Sequence, residues 1–97
     1  MEDTGITISG YPLLHDSRNG YMVRTDKHDY YFYELVSVGG TTTSDILMVM
    51  VDDWERNQKP DEVPENIGWI YGATAFPDDY YALEDISEYI DKYESTH

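Results

Sequence analysis

Residues 76–94 read FPDDYYALEDISEYIDKYE, and this closing segment has the periodicity of an amphipathic helix. Its apolar residues recur at steps of three, four and three, which places them on one side of a helix: Leu83, Ile86, Ile90 and Tyr93. Pro77 suits the first turn of such a helix, where its missing N–H is no loss. The segment therefore predicts a C-terminal helix that packs its apolar side against the rest of the chain.

The other side of the predicted helix is crowded with carboxylates, and Lys92 is the only base in the segment. Helix residues four apart have Cβ atoms about 5–6 Å apart, which is comparable to the spacing of phosphates along one DNA strand. A row of such carboxylates presents charge as a nucleic-acid backbone does, whereas the ordinary alternative is a solvated surface. The helix acids of this row are Glu84, Asp85, Glu88 and Asp91, and the acids expected to extend it are Asp61, Glu62, Glu65, Asp78 and Asp79.

Alternating apolar and aromatic residues predict strands in the part of the chain that precedes this helix. Asn19-Gly20 is a dipeptide typical of a tight hairpin turn, and Gly68 and Gly72 allow a bend or a close backbone approach in the last strand. The first predicted strand covers residues 6–16, and its second half either continues the first half or bends away from it. The other predicted strands are one led by Met22 and Val23, residues 30–38, and residues 67–76.

The segment TTTSDILMVMVDDWERNQK (residues 41–59) fits either a helix or a strand. A helix over residues 44–58 is favoured by its length, by its methionines and by the capping residues at its start, Thr43, Ser44 or Asp45. A buried strand over residues 46–51 competes, because periodicity does not separate the two structures over so short an apolar run. We prefer the helix, and the strand remains the alternative.

Together these elements predict one α+β domain over residues 1–97, an antiparallel sheet of about four strands with one or two helices on one face. Hydrophobic residues form 40% of the chain, enough for a folded core. Without cysteine, neither disulfides nor thiolate metal sites contribute. The N-terminus lacks the apolar region of a signal peptide, and the longest apolar run is too short to span a membrane. We therefore expect a cytoplasmic protein.

Charge is the strongest compositional feature. Twenty Asp and Glu residues face six Lys and Arg residues, which gives a net charge of −14. Fourteen of the acids lie in residues 45–97 together with three bases, so the excess is concentrated in the second half. Such a field attracts cationic partners and repels nucleic acid and anionic lipid. We therefore expect a cationic protein partner and no direct binding of nucleic acid or membrane.

Neighbouring polar residues offer little for catalysis. His15-Asp16 and His28-Asp29 resemble the His–carboxylate pairs of metal-dependent hydrolases, but adjacent residues on a strand point to opposite faces. Asp52-Asp53 and Asp78-Asp79 supply oxygen ligands for a hard cation, without the spacing of a cation-binding loop. We interpret the His–Asp pairs as turn residues and the Asp pairs as solvated acids. We expect no enzyme activity, no cofactor and no bound metal.

The ten tyrosines are too many for the core of so small a domain. Tyrosine is rigid and amphipathic, and it is common at protein interfaces. Half-burial in the sheet is the alternative for any one of them. The adjacent pairs are the candidate aromatic contacts for a partner: Tyr30, Tyr31, Tyr80 and Tyr81.

In length, acidity, lack of cysteine, α+β plan and abundance of tyrosine, the whole chain resembles phage-encoded inhibitors that mimic DNA. Several anti-CRISPR proteins belong to this class, and the acidic inhibitors of type I Cascade complexes are similar in kind. The nearest local feature is DDYYALEDISEYIDKYE, residues 78–94. The resemblance implies a stoichiometric inhibitor that occupies a Lys/Arg-lined DNA groove. It rests on character without a matching motif, so it assigns no role to any single residue.

Two other functions remain open. An acidic immunity or antitoxin protein that neutralises a basic nuclease would use the same physical chemistry against a different partner. An acid-rich housekeeping domain, as in halophiles, should spread its acids evenly, whereas here they are skewed to residues 45–97. Stability that rises steeply in molar salt would favour this last function.

Overall fold

The computed structural model describes residues 1–16, 20–35, 46–57, 63–73 and 75–97. The strands in these ranges are β1 (Glu2–Ile8), β2 (Tyr11–Asp16), β3 (Gly20–Arg24), β4 (Asp29–Leu35), β5 (Ile46–Val51) and β6 (Glu65–Tyr71). The helices are α1 (Trp54–Asn57) and α2 (Tyr80–Thr96). Several residues named above lie outside the described residues: Asn19, Thr43, Ser44, Asp45, Asp61 and Glu62.

The strands form one antiparallel sheet in chain order, from β1 to β6. The α+β class is therefore confirmed, but the sheet has six strands within the described residues, not about four. One extra strand results from a turn at Ser9-Gly10, which divides the first predicted strand into two. Both turn residues have positive φ, 53° and 83°. The chain reverses there, so residues 6–16 belong to the antiparallel pair of β1 and β2 and not to one bent strand.

The other extra strand is β5, and it shows that the prediction of a helix over residues 44–58 is wrong. β5 lies between β4 and β6, and its alternate residues Leu47, Val49 and Val51 are buried. Its remaining positions are also apolar and half-buried, so the sequence reads as a continuous apolar run that hides the period of two. Helical structure in the described part of this segment is confined to the single turn of α1.

α2 covers one face of the sheet. Ala82, Ile86 and Ile90 are its buried residues, and Leu83 and Tyr93 of the predicted apolar side are only partly buried. The core residues of the sheet under α2 are Ile8, Leu13, Val23, Tyr30, Phe32, Leu47, Val49, Val51 and Ile70. No helix in the described ranges is long and apolar enough to cross a membrane.

α2 begins later than Pro77 because Asp79 forms its N-cap. Asp79 has extended backbone dihedrals, and its carboxylate accepts a hydrogen bond from the Tyr81 backbone N–H at 3.0 Å. An aspartate at this position satisfies an amide that has no partner within the helix. Pro77 therefore lies before the helix and not in its first turn.

The close backbone approach expected in the last strand is present at Gly68. A Cβ at this position would lie 2.4 Å from Cε1 of Tyr89 on α2, closer than two carbon atoms can approach. The Tyr89 hydroxyl donates a 3.4 Å hydrogen bond to the carbonyl of Trp69, the next residue of β6. The absence of a side chain at Gly68 thus lets a tyrosine ring of α2 lie directly against β6.

Candidate partner-binding surfaces

α2 carries a row of exposed carboxylates on its solvent-facing side, and the last of them, Asp91, also accepts a hydrogen bond from Ser9 in the turn between β1 and β2. We call this row the acidic stripe: Glu84, Asp85, Glu88 and Asp91. The arrangement follows from helical periodicity, because the buried Ala82, Ile86 and Ile90 take the other side of the same helix. Lys92 is also exposed beside the stripe.

The spacing of the stripe matches the charge density of a DNA strand. At a rise of 1.5 Å per residue, the four carboxylates span about 10 Å along the helix axis. One DNA strand places a phosphate every 3.4 Å along its axis, or about four charges in the same length. The stripe therefore presents a comparable number of negative charges over a comparable length.

Side-chain contacts hold α2 to the sheet along its length. Ser9, in the turn after β1, lies 2.7 Å from the Ser87 hydroxyl and donates a 3.0 Å hydrogen bond to Asp91. Near the other end of the helix, the Tyr30 hydroxyl donates to Glu94 at 3.2 Å. Burial, followed by the Glu94 carboxylate, raises the pKa of Tyr30, so this hydroxyl stays a donor. The stripe thus lies on an anchored helix and not on a loose segment.

The acids expected to extend the row are distributed differently. Asp78 is exposed just before α2, whereas the Asp79 carboxylate is used as the N-cap. Glu65 lies at the start of β6, where it accepts a 3.2 Å hydrogen bond from the Tyr93 hydroxyl near the C-terminal end of α2. The structure therefore places Asp78 and Glu65 near opposite ends of the helix.

The four candidate tyrosines divide into three environments. Tyr80 and Tyr81 are 70% and 75% exposed at the N-terminal end of α2, with ring centroids 5.9 Å apart. Tyr30 is fully buried, so the expectation that it contacts a partner at the surface is wrong. Tyr31 is half-buried on the opposite face of the sheet, because successive strand residues alternate between faces.

The sheet face away from α2 is rich in aromatic and methionine residues, and it is a surface that was not predicted from the sequence. Register places its residues side by side: Leu14, Met22, Tyr31, Tyr33, Ile46, Met48, Met50, Trp69 and Tyr71. We call it the second sheet face. Trp69 is 42% exposed and Tyr71 is 71% exposed. The signal in the sequence was that apolar or aromatic residues occupy both the odd and the even positions of YYFY and ILMVMV, which gives each strand two such faces.

A buried ion cluster joins the start of β4 to the end of β5. Asp29 is fully buried and pairs with Arg24 at 3.0 Å and with Arg56 at 3.3 Å. The hydrogen bond to Asp29, with its charge, raises the pKa of Arg24. Asp53 accepts the Asp29 backbone N–H at 2.7 Å, and its other oxygen lies 2.6 Å from Nδ1 of His28.

This cluster corrects two interpretations made from the sequence. Asp29 begins a strand as a buried ion-pair partner and is not a turn residue. Asp53 is bonded to Asp29 and His28 and is not a solvated acid. The contacts of Asp53 with His28 and Asp29 join residues 25 and 24 positions apart, so local sequence patterns carry no signal for them. The contacts of this cluster hold the start of β4 to the end of β5, so the cluster has a structural role.

Among the described residues, no group of three or more His, Asp or Glu side chains is arranged to hold a metal ion. Comparison with known proteins finds no matching family model, no matching curated protein and no matching solved structure.

Proposed function

We propose that this chain is a non-enzymatic, stoichiometric inhibitor that mimics DNA. Its acidic stripe occupies a Lys/Arg-lined nucleic-acid-binding site of a host defence complex, with a type I CRISPR Cascade complex as the specific candidate. The observation that carries the proposal is the stripe itself. Four exposed carboxylates lie along about 10 Å of an anchored helix, at the charge density of a DNA strand.

The rest of the chain fits this role. The net charge of −14 attracts a cationic groove from a distance and speeds association. The same charge disfavours binding to DNA, so the inhibitor competes with DNA without forming a complex with it. Tyr80 and Tyr81 are exposed at one end of the stripe, where aromatic rings are suited to pack on the long side chains of lysine and arginine.

Binding through the stripe should be distributed over several charges. Exposed ion pairs contribute about 0.2–1 kcal/mol each because solvent screens them. Single substitutions such as Glu88→Gln should therefore have little effect on inhibition. The interaction should also weaken as salt shortens the Debye length from about 30 Å at 0.01 M to about 8 Å at 0.15 M.

The test is a competition between this chain and target DNA for a purified type I Cascade complex. Fluorescence anisotropy of labelled DNA bound to the complex is measured as the chain is added, at 0.05 M and 0.2 M salt. A further sample contains labelled DNA and the chain without the Cascade complex. We expect the chain to displace DNA from the complex, less effectively at the higher salt. In the sample without Cascade, the anisotropy of the DNA should not change. A direct shift of free DNA would contradict the mimicry.

If the chain displaces DNA from none of the Cascade complexes tested, Cascade is no longer a candidate partner. An acidic immunity protein would use the same stripe against a basic nuclease, and the two functions differ in partner only. Affinity capture from lysate at low and high salt, followed by a nuclease assay on the captured protein, separates them. A captured nuclease that loses activity on adding the chain would establish the immunity function instead.

A further inference from the structure

A pocket of about 570 Å³ opens on the second sheet face, on the other side of the sheet from the acidic stripe. Four separate segments bring its lining together. Met1 begins the chain, Asp16 ends β2, Tyr31 and Tyr33 lie on β4, and Asp52, Trp54 and Glu55 lie in the turn from β5 into α1. Three aromatic rings and three carboxylates thus face one cavity.

The aromatic part of the pocket has a defined geometry. The rings of Tyr31 and Tyr33 are parallel within 6°, with centroids 6.2 Å apart, because alternate residues of β4 point to the same side. Trp54 is 52% exposed at the start of α1. Its backbone N–H donates a 3.1 Å hydrogen bond to the Asp52 carboxylate, which fixes the turn from β5 into α1.

Among the described residues, three carboxylates line the pocket together with Met1, which carries the N-terminal ammonium group, so acids outnumber the cation there. No lysine or arginine among the described residues lines it. Arg24 and Arg56 are both paired with the buried Asp29. Burial, followed by the charges of Asp29, Glu55 and Asp52, raises the pKa of Tyr31 to about 12. Three carboxylates act on this ring against the one opposing charge of Arg24, and the Tyr31 hydroxyl remains protonated at neutral pH.

We propose that this pocket seats the guanidinium group of an arginine on a partner protein, so that the second sheet face is a docking surface distinct from the acidic stripe. A guanidinium group is planar, stacks on aromatic rings and donates several hydrogen bonds to carboxylates in a fork. Lysine ammonium is compact and strongly hydrated, and a quaternary ammonium has no donor for the carboxylates. The combination of rings and acids therefore selects arginine.

The proposal goes beyond DNA mimicry and does not depend on it. The stripe carries carboxylates without a cavity and suits a row of cations, whereas the pocket combines a cavity with three rings and suits a single inserted side chain. The two surfaces lie on opposite sides of the sheet, because Tyr31 and Tyr33 alternate with the buried residues that α2 covers. A partner that uses the pocket therefore leaves the stripe accessible.

The test uses short blocked peptides, Gly-Arg-Gly and Gly-Lys-Gly, with tetramethylammonium chloride as a third probe, at constant ionic strength. Binding to the whole chain is followed by ¹H–¹⁵N NMR at the Trp54 indole and the Glu55 amide. The pocket variants are Trp54→Leu and Glu55→Gln. The matched control is Trp69→Leu, an exposed tryptophan of the same face that does not line the pocket.

We expect saturable shifts with the arginine peptide and affinity for the lysine peptide weaker by about fivefold or more, because an ammonium lacks the forked donors and the flat stacking face of a guanidinium and is more strongly hydrated. Trp54→Leu and Glu55→Gln should each weaken the arginine peptide by about threefold or more, and Trp69→Leu should not. Equal binding of both peptides, tighter binding of tetramethylammonium, or the absence of saturable shifts at the pocket would each overturn the proposal. Variants of the acidic stripe that no longer compete with DNA should still bind the arginine peptide at the pocket. Each proposal can therefore fail without the other.

Discussion

Gly68→Ala should disrupt the packing of α2 on β6 through a clash with one ring. The new Cβ would lie 2.4 Å from Cε1 and 2.5 Å from Cζ of Tyr89. Non-bonded carbon atoms prefer separations of about 3.5–4.0 Å, so the ring must move by about 1 Å or rotate away. Either movement breaks its contact with β6 and its hydrogen bond to the Trp69 carbonyl.

The magnitude follows from the cost of overpacking a fitted contact, about 1–3 kcal/mol. In a Tyr89→Ala background the obstacle is gone. Because Gly68 lies in a strand conformation that alanine also adopts, the substitution there should stabilise the chain by about 0.4–1 kcal/mol through its effect on the unfolded state. The effect of Gly68→Ala should thus change sign between the two backgrounds, with a coupling energy of at least about 1.5 kcal/mol.

The assay is urea denaturation of the four chains of this double-mutant cycle, followed by circular dichroism. With m-values of about 1–3 kcal/mol/M, Gly68→Ala alone should lower the midpoint by roughly 1 M at unchanged m. An equal destabilisation by Gly68→Ala in both backgrounds would refute the reasoning, because the cost would then lie in the strand and not in the contact with Tyr89.

Three further predictions concern stability. Asp29→Asn should cost about 3 kcal/mol in urea denaturation, because it leaves Arg24 and Arg56 without their buried carboxylate; a cost below 1 kcal/mol would contradict the pairing. Asp79→Ala should cost about 1 kcal/mol by removing the N-cap of α2, and Asp79→Asn should restore most of it; no difference between these variants would contradict the capping role. The pKa of Tyr31 is raised to about 12 from an unfolded value of about 10. The stability linked to this group is therefore complete below pH 10 and is lost as the pH rises from 10 to 12. Urea midpoints at pH 9, 10 and 11 check the sign, and a midpoint that rises over this range would contradict it.

The sequence predicted α2 because the signal there is local. Ile86 and Ile90 recur at helical spacing and are buried, and the acid between them, Glu88, is exposed. β5 was assigned wrongly because apolar residues occupy both of its faces, so neither a period of two nor a helical period stands out. The turn at Ser9-Gly10 was missed because it depends on positive φ at a serine, which propensity does not favour.

The pocket and the ion cluster were beyond sequence reasoning for a different physical reason. Asp16, Tyr31 and Trp54 are far apart in the chain and meet only through the order and register of the strands. The pairing of Asp29 with Arg56 likewise needs β5 to follow β4 in the sheet. Assigning residues 44–58 to a helix removed the framework that brings these groups together.

The central claim is that the acidic stripe, and not overall charge, binds the nucleic-acid site of a partner. The most direct measurement compares two triple variants of equal net charge in the DNA competition assay, after circular dichroism confirms that both are folded. One variant reverses Glu84, Asp85 and Glu88 to Lys. The matched control reverses three exposed acids away from α2, at Glu2, Asp3 and Asp26.

The account predicts that reversal of the stripe raises the concentration needed to displace half of the DNA by about tenfold or more, because three exposed ion pairs become repulsive. The control should change this concentration by less than about threefold, since its charges act only through the screened long-range field. Equal losses in the two variants would show that net charge alone is responsible, and full activity of the stripe variant would show that the stripe is ordinary solvated surface.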